Sequence, residues 1–279
     1  MDQAGKWSRS GKKLETALFK EKSVKWECFS DALSSSWKHQ TDYKAGEEAL
    51  HPFAPFIRLP QGFGLMIPVV ADYDDPMRPH IQQVYIFFKS GQFASWCQEG
   101  SNCPQWLVNF FHTLDEDLQT VFSHSQKSTE SIALEALRRF FQRNSRQWQA
   151  YLGAVESCLC HLQEIEPTLK SSQQLRQKLV CAIKAAFTLD RHLRAYHAAL
   201  SSYMRYQRRL TLDNKEIGNM KDVLNALQPL LDRAASMQTW ATTLLNLQLD
   251  LASNRTNEIM KTLTIMSALF SPAALIAGL

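Results

Sequence analysis

The sequence predicts an α+β fold, in which a mixed α/β N-terminal part precedes a long antiparallel helical hairpin and a third, very long helix. Short apolar runs rich in β-branched and aromatic residues lie between residues 64 and 97, as is typical of strands. Glycine and proline become scarce from about Thr129 onward, which favours long helices. The last 17 residues, 263–279, carry no charge, and this is the short end of what a helix needs to cross a membrane.

Composition describes a globular chain with one uneven charge distribution. Its 279 residues are 45% hydrophobic and 21% charged, so it can bury a core and has room for one large or two modest domains. Six cysteines without a Cys-x-x-Cys pair, and no signal peptide, predict a reducing, cytosolic compartment. The net charge is +4, but residues 127–209 hold fourteen Lys or Arg against six Asp or Glu. A solvated helical face is the preferred interpretation, with lipid headgroups, an anionic partner or nucleic acid as alternatives.

Strands are predicted at "GLMIPVVADY" (Gly64–Tyr73) and at "QQVYIFF" (Gln82–Phe88), because both runs are apolar and bounded by Gly, Pro or Asp. The segment "KSGQ" (Lys89–Gln92) reads as a hairpin turn into "FASWCQ". A helix follows, with Ser101 or Asn102 as its cap and Pro104 near its first turn. Its apolar face comprises Leu107, Phe110, Phe111, Leu114, Leu118, Val121 and Phe122.

Two long helices are predicted at about 130–166 and 172–209, since the clearest breaks surround Pro167 and residues 211–214. A third helix runs from Asn214 toward Leu279, and its roughly 65 residues would be on the order of 100 Å long. Apolar residues recur along it at the 3.5-residue period of a coiled coil, which predicts self-association. This apolar seam consists of Ile217, Met220, Leu224, Leu227, Leu231, Ala234, Ala241, Leu245, Leu249 and Ala252, with Gln238 as an interruption. Pro229 predicts a kink.

Candidate metal ligands have simpler structural explanations. Cys158 and His161 would share a helix face while Cys160 points elsewhere, and two ligands do not make a structural zinc site. His192 and His197 are too far apart around a helix to meet.

The acidic loop "DYDDP" (Asp72–Pro76) could meet a hydrated Mg²⁺ but is more often merely acidic. Gly-x-Ser-x-Gly, Walker A and Gly-x-Gly-x-x-Gly motifs are all missing from the sequence. We therefore expect no enzymatic activity and no organic cofactor. Nor is there an interleaved basic and aromatic face that would predict nucleic-acid binding.

The final stretch "NRTNEIMKTLTIMSALFSPAALIAGL" (Asn254–Leu279) resembles the CorA family of divalent-cation transporters. In that family Asn-x-x-Asn-Glu-(Val/Ile)-Met-Lys-x-Leu-Thr-Ile precedes a Pro and then Ile-Ala-Gly. The segment "MKDVLNAL" (Met220–Leu227) is similar to the family's Arg-Asp-Val-x-Asp-His run, with Lys, Asn and Ala as departures. The ZntB-like branch, which carries zinc, is an alternative within the family.

The resemblance implies a homopentamer in the cell inner membrane, with most of this chain cytoplasmic. It divides the chain into a funnel domain at 1–125, a long-helix bundle and stalk at 126–252, and the start of the first transmembrane pore helix at 253–279. In the family a Gly-Met-Asn tripeptide follows, so we expect the chain to be truncated within the first transmembrane segment. The implied cargo is Mg²⁺, with Co²⁺, Ni²⁺ or Zn²⁺ as alternatives.

Steps of three and four residues from Asn257 define a small and polar stripe that the resemblance assigns to the ion path. The candidate pore-lining residues are Asn257, Met260, Leu263, Thr264, Ser267, Ser271, Ala274 and Gly278. Close helix packing would also require small residues. Asp222 is the acid retained in the family-like segment and is the candidate regulatory metal ligand. The rival function is a soluble or membrane-tethered coiled-coil interaction protein.

Overall fold

The computed structural model describes most of the chain from Lys13 to Ala277. The described residues are 13–18, 25–29, 54–59, 62–72, 75–89, 92–97, 104–110, 113–114, 129–165, 172–209 and 214–277. They form a mixed sheet, a helical hairpin and a third helix that runs past both. The predicted α+β class is confirmed, with the sheet first in the chain and the long helices after it.

Six strands form one sheet in the order β1-β2-β6-β5-β4-β3. Their bounds are β1 Lys13–Leu18, β2 Lys25–Phe29, β3 Phe56–Leu59, β4 Gly62–Asp72, β5 His80–Lys89 and β6 Gln92–Cys97. Only β2 and β6 pair in parallel, and every other neighbouring pair is antiparallel. A chain-order meander from β3 to β6 is thus extended at one edge by the N-terminal hairpin.

The apolar runs in the sequence correctly predicted β4, β5 and β6. Lys89 pairs with Gln92, so the two strands around the predicted turn are in hairpin register. The first three strands were not predicted. β1 (KLETAL) and β2 (KWECF) carry charged residues, and β3 (FIRL) has only four residues, so none of them forms a long apolar run.

Gly64 in β4 allows a close approach to the neighbouring strand. A Cβ atom at this position would lie 2.6 Å from the Phe87 ring of β5 and 3.0 Å from the Ile57 side chain of β3. Both neighbours belong to strands paired with Gly64 itself. Because the Phe87 ring is fully buried, it has little room to move away. A side chain at position 64 would therefore disturb the packing of β4 between β3 and β5.

The far half of β4 is protected by side chains instead of a further strand. β3 pairs only with Gly62–Leu65, which leaves the rest of this edge unpaired by β3. The Trp106 indole donates to the Val70 carbonyl at 2.8 Å. Asn144 Nδ2 and the Trp148 indole donate to the Pro68 carbonyl at 3.2 and 3.3 Å. Proline has no N–H to leave unpaired, so position 68 suits this edge.

Three long helices follow: α1 Thr129–Glu164, α2 Ser172–Arg209 and α3 Asn214–Ala277. The first two match the predicted hairpin within two residues at each end. Residues 105–110 and 113–114 are helical, as predicted, and Leu107, Phe110 and Leu114 of the predicted face are buried. The proposed caps Ser101 and Asn102 lie outside the described residues, as does the rest of that helix.

One hydrophobic core joins the sheet to the helices. Its largest fully buried side chains are Trp148, Tyr151, Tyr196, Tyr203, Phe87, Phe93, Phe140 and Phe141. The Tyr151 hydroxyl donates to the Pro76 carbonyl at 2.6 Å, and the Tyr196 hydroxyl donates to the Phe141 carbonyl at 2.9 Å. Burial raises the pKa of both phenols, so they are neutral donors at every physiological pH.

The apolar seam of α3 does not have the role expected of it. Met220, Leu227, Leu231, Ala234 and Ala241 are buried inside this chain, against the core that includes α1 and α2. The prediction that this part of the seam pairs with a second copy is therefore wrong: its period is that of a long helix packing on a long hairpin within one chain. The helix is continuous through Pro229, and the kink stays a prediction.

Candidate functional site

α3 lies parallel to α1 and is fixed to it at two levels. The Arg233 guanidinium donates two hydrogen bonds to the Glu156 carboxylate, and the Trp240 indole donates to Gln163 Oε1 at 3.2 Å. In each pair the two residues are 77 positions apart in the sequence. The seven-residue step from Glu156 to Gln163 on α1 therefore matches the seven-residue step from Arg233 to Trp240 on α3. Since neither helix slips against the other over this stretch, positions on α1 and α3 can be compared by counting residues.

The ion pair between Glu156 and Arg233 is partly shielded from water. The two side chains are 32% and 35% exposed, respectively. The hydrogen bonds from Arg233 lower the pKa of the Glu156 carboxyl, although burial opposes this shift. The pKa of Arg233 is raised for the same reason. The carboxylate is therefore ionised at neutral pH, and the pair joins α3 to the body just before α3 leaves it.

Beyond Leu245, which still packs with Leu244 against a buried cluster of the helical hairpin, the helix leaves the body. α3 continues for 32 residues from Leu245 to Ala277, which corresponds to about 48 Å. Every side chain from Ser253 to Ser271 is exposed. The large apolar residues between Ser253 and Ser271 are between 51% and 67% exposed: Ile259, Met260, Leu263, Ile265, Met266, Leu269 and Phe270. Exposed apolar surface of this extent marks an interaction with another protein or with a membrane.

The predicted pore-lining residues lie on this extension. Exposed members are Asn257, Met260, Leu263, Thr264, Ser267 and Ser271. Ala274 lies within α3, and Gly278 lies outside the described residues. At about 100° per residue, the members from Asn257 to Ala274 other than Leu263 fall within an arc of about 100°. Leu263 lies about 70° from the centre of that arc, whereas Leu269 lies about 170° from it.

Hydroxyl groups on the extension hydrogen bond back to the helix. Thr264 Oγ1 donates to the Met260 carbonyl at 2.8 Å, and Thr262 Oγ1 donates to the Glu258 carbonyl at 2.9 Å. A threonine whose hydrogen is used in this way presents the lone pairs of its oxygen outward. On the predicted stripe, Thr264 therefore offers an acceptor and not a donor, which suits a cation or its hydration water.

Asp222, the predicted metal ligand, is exposed on α3 next to the exposed Lys221. Among the described residues there is no group of three or more His, Cys, Asp or Glu side chains placed to hold a metal ion. A single carboxylate supplies too few ligands to hold Mg²⁺ without water or a second chain. The described residues thus form no complete metal site around Asp222 within one chain.

Cys158, Cys160 and His161 lie near the C-terminal end of α1. Cys158, His161 and Cys181 line a groove of about 800 Å³ between α1, α2 and the turn at 75–78. Cys160 is exposed and is not part of its lining, so the predicted division of faces is confirmed. On α2, burial and then the nearby Arg191 lower the pKa of His192 to about 4, so its imidazole is neutral at pH 7.

Within the part of the chain that the structure describes, no helix has a segment both long and apolar enough to span a membrane.

Sequence reasoning missed the contacts that fix α3. Glu156 and Arg233 are 77 residues apart, and no local period relates two such positions. In the sequence, the four arginines in the first half of α1 contribute to the excess of basic residues at 127–209 but predict no common surface. Arg138, Arg139, Arg143 and Arg146 in fact line one groove, and their spacing, within nine residues of one helix, was the available signal.

The described structure defines a class of protein: an α+β body with a helical hairpin, from which a third helix projects with exposed apolar residues. The sequence profile described as CorA-like Mg²⁺ transporter protein matches residues 58–279. This chain therefore belongs to the CorA family, which confirms the resemblance seen in the sequence. No curated protein is significantly similar to it in sequence.

Solved structures share the fold at low sequence identity. The complete CorA magnesium transporter of Methanocaldococcus jannaschii is 14% identical, with a TM-score of 0.61 over 91% of this chain and 78% of that one. Full-length CmaX is 13% identical, with a TM-score of 0.66 over 92% and 76%. The ZntB cytoplasmic domain of Vibrio parahaemolyticus is 13% identical, with a TM-score of 0.59 over 84% and 88%. At such identities the likeness shows the fold alone and does not separate CorA from ZntB.

Proposed function

We propose that this chain is the cytoplasmic domain and first pore segment of a CorA-like divalent metal cation transporter. The observation that supports this most is the α3 extension, in which every described side chain from Ser253 to Ser271 is exposed. Exposure of these seven large apolar residues to water is unfavourable, whereas a lipid bilayer or neighbouring copies of the helix would cover them. The body would lie in the cytoplasm and the extension would enter the inner membrane.

The proposed pore is formed by five copies of α3 around a central axis. Asn257 and Thr264 would present amide and hydroxyl oxygens to a hydrated cation, and Met260 and Leu263 would form a dewetted constriction. The small side chains at Ser267, Ser271, Ala274 and Gly278 would widen the path beyond this constriction. In this arrangement Leu269 faces lipid or a neighbouring helix. No covalent chemistry is involved, so the chain is not an enzyme under this proposal.

The transported ion is proposed to be Mg²⁺, with Co²⁺, Ni²⁺ and Zn²⁺ as alternatives. The family description names Mg²⁺, and one structural relative carries the name ZntB. Oxygen ligands on the stripe favour a hard, hydrated cation such as Mg²⁺. Zinc would prefer nitrogen or sulfur ligands, and the described stripe offers only the Met260 thioether.

Ion uptake into liposomes tests the proposal. The protein encoded by the whole gene is reconstituted, and each of the four cations is supplied in turn while an internal fluorescent probe reports its entry. We expect saturable uptake of Mg²⁺. Asn257→Leu should reduce it strongly, whereas Asn254→Leu, an identical change at another exposed position about 60° around the helix, should not. Absence of uptake for all four ions, or equal loss in both variants, would refute the assignment.

A coiled-coil interaction protein is the second candidate function. It is favoured by Leu249 and Ala252, which continue the seam where α3 leaves the body and remain exposed at least in part. It is weakened by the burial of the earlier seam residues inside the chain. A stable oligomer by analytical ultracentrifugation, combined with no cation uptake by the reconstituted protein, would favour this second function.

A further inference from the structure

A turn between β4 and β5 reaches the place where α3 leaves the body. In this turn the Asp75 carboxylate accepts from the Met77 backbone N–H at 3.0 Å, and the Asp75 carbonyl accepts from the Arg78 N–H at 2.9 Å. The Tyr151 hydroxyl of α1 donates to the Pro76 carbonyl at 2.6 Å. The backbone around Met77 is therefore held both by the turn itself and by α1.

Tyr151 belongs to a face of α1 that also holds β4. Asn144, Trp148 and Tyr151 are spaced four and three residues apart, as one helix face requires, and all three are buried. The first two donate to the Pro68 carbonyl of β4, and the third donates to the Pro76 carbonyl of the turn. The strand and the turn are thus tied to the same helix.

Met77 packs on a small buried cluster at the closed end of the hairpin. We call it the exit cluster, and its buried members are Leu162, Leu175 and Leu179. Met77 is partly buried and packs against both this cluster and the main core. Leu244 and Leu245 of α3 pack against the same three leucines. The exit cluster therefore has the sheet on one side, through Met77, and α3 on another.

The exit cluster is among the last contacts that α3 makes with the body. Gln163 is level with Trp240, because the two side chains are hydrogen-bonded. By residue count, Leu244 and Leu245 lie about 6–8 Å beyond that level, past the end of α1. From Ser253 to Ser271 every side chain is exposed. Contacts at the exit cluster are thus well placed to set the direction of the projecting helix.

We propose that Met77 is a positioning residue that fixes the direction in which α3 leaves the body. Its consequence for the pore rests on the transport proposal above. Leu263 lies 18 residues beyond Leu245, which is about 27 Å along the helix. At that distance a tilt of about 5° displaces the constriction by about 2 Å, and helix shifts of this size accompany switching in other proteins.

The surroundings of Met77 favour a large effect of truncation. Its side chain lines the groove of about 800 Å³ between α1, α2 and the turn, so one side of it faces open space. Alanine at this position would extend the groove toward the exit cluster and remove the contact of that cluster with the sheet. α3 would then sample more directions, and the constriction at Met260 and Leu263 would be hydrated more often.

Hydrogen exchange of the full chain in detergent micelles, followed by mass spectrometry, tests this role. Met77→Ala should raise the exchange of backbone amides at 244–252 severalfold. Met77→Leu nearly conserves the volume and should exchange as wild type does. The matched control is Met204→Ala, because Met204 is buried in the main core about 40 Å along α2 from Leu175. This control should lower the melting temperature but leave exchange at 244–252 unchanged.

Resting cation flux gives the second measurement, with the protein encoded by the whole gene reconstituted in liposomes. We expect Met77→Ala to raise it severalfold, and Met77→Leu and Met204→Ala to leave it at the wild-type level. Met77→Val, which removes less of the side chain, replaces the alanine variant if that variant does not assemble.

Three results would overturn the proposal. The first is unchanged exchange at 244–252 in Met77→Ala, and the second is an equal rise in Met204→Ala, which would mean a general loss of stability. The third is faster exchange in Met77→Ala without a change in the flux of an active transporter. A wild-type protein that shows no flux refutes the transport proposal instead, and hydrogen exchange then decides the role of Met77 on its own.

Discussion

The two halves of α3 have similar apolar residues and opposite surroundings. Between Met220 and Ala241 all of its leucines and methionines except the partly buried Leu224 are buried, while between Ser253 and Ser271 such side chains are more than half exposed. The first half alternates apolar with polar faces, as a helix on a core does. The second half has large apolar residues over most of its circumference and lacks charge after Lys261. The placement of charged residues, and not the apolar content, therefore distinguishes the half of α3 that packs within its own chain from the half that needs another protein or a membrane around it.

Leucine truncation in the two halves gives the largest expected difference. Leu227→Ala removes a fully buried side chain and should lower the free energy of unfolding by about 2–5 kcal/mol. Leu269→Ala changes a side chain that is 67% exposed and should alter it by less than about 0.5 kcal/mol. Because both variants replace leucine by alanine within the same helix, the change in helix propensity is the same in each. Urea unfolding in detergent, followed by tryptophan fluorescence, measures both. A similar loss in both variants would remove the distinction between the halves.

The sequence predicted the class, the strands β4, β5 and β6 and both hairpin helices, because each has a strong local pattern or a clear break. It could not predict where the seam of α3 is buried. A period of 3.5 residues predicts that one face of a helix is covered. It does not distinguish a second copy of the chain from the hairpin of the same chain as the covering surface. The Glu156–Arg233 pair was beyond prediction because it joins residues 77 apart. The stripe from Asn257 to Gly278 and the division into domains stay predictions.

Leu263→Ser tests whether the exposed half faces an ion path. A serine near the proposed constriction should keep it hydrated and raise resting cation flux severalfold in liposomes. Leu269→Ser is the matched control, since it is the same substitution about 120° around the helix and about 170° from the centre of the stripe. Its flux should equal that of wild type. If both variants leak alike, or neither leaks while the oligomer remains intact, the stripe is a packing surface.

Removal of the ion pair that fixes α3 to α1 should have a moderate, pH-dependent effect. Arg233→Gln should cost about 1 kcal/mol at pH 7, since the pair is bidentate but one third exposed. The pKa of Glu156 is lowered in the folded state, so its contribution is present above the ordinary carboxyl pKa near 4.5 and is lost as the pH falls through the folded value. Stability curves of wild type and variant should therefore converge in acid. Lys261→Gln, in the exposed half, should change stability by less than about 0.5 kcal/mol at any pH. A cost of Arg233→Gln that does not decrease as the pH falls below 4.5 would mean packing and not charge.

The smallest expected effect concerns Asp222. A substitution there tests whether the half of α3 that packs on the body also binds ions. Its carboxylate is exposed beside Lys221, and within one chain the described residues form no group of three or more metal ligands. A hydrated Mg²⁺ held there would need a neighbouring subunit, so binding would stabilise the oligomer by mass action. At Mg²⁺ concentrations comparable to the dissociation constant the melting temperature should rise by about 1–3 °C. Asp222→Asn should abolish that rise, whereas Asp232→Asn, another exposed acid on the same helix, should retain it. An equal rise in wild type and Asp222→Asn would show that Mg²⁺ binds elsewhere in the protein and not at Asp222.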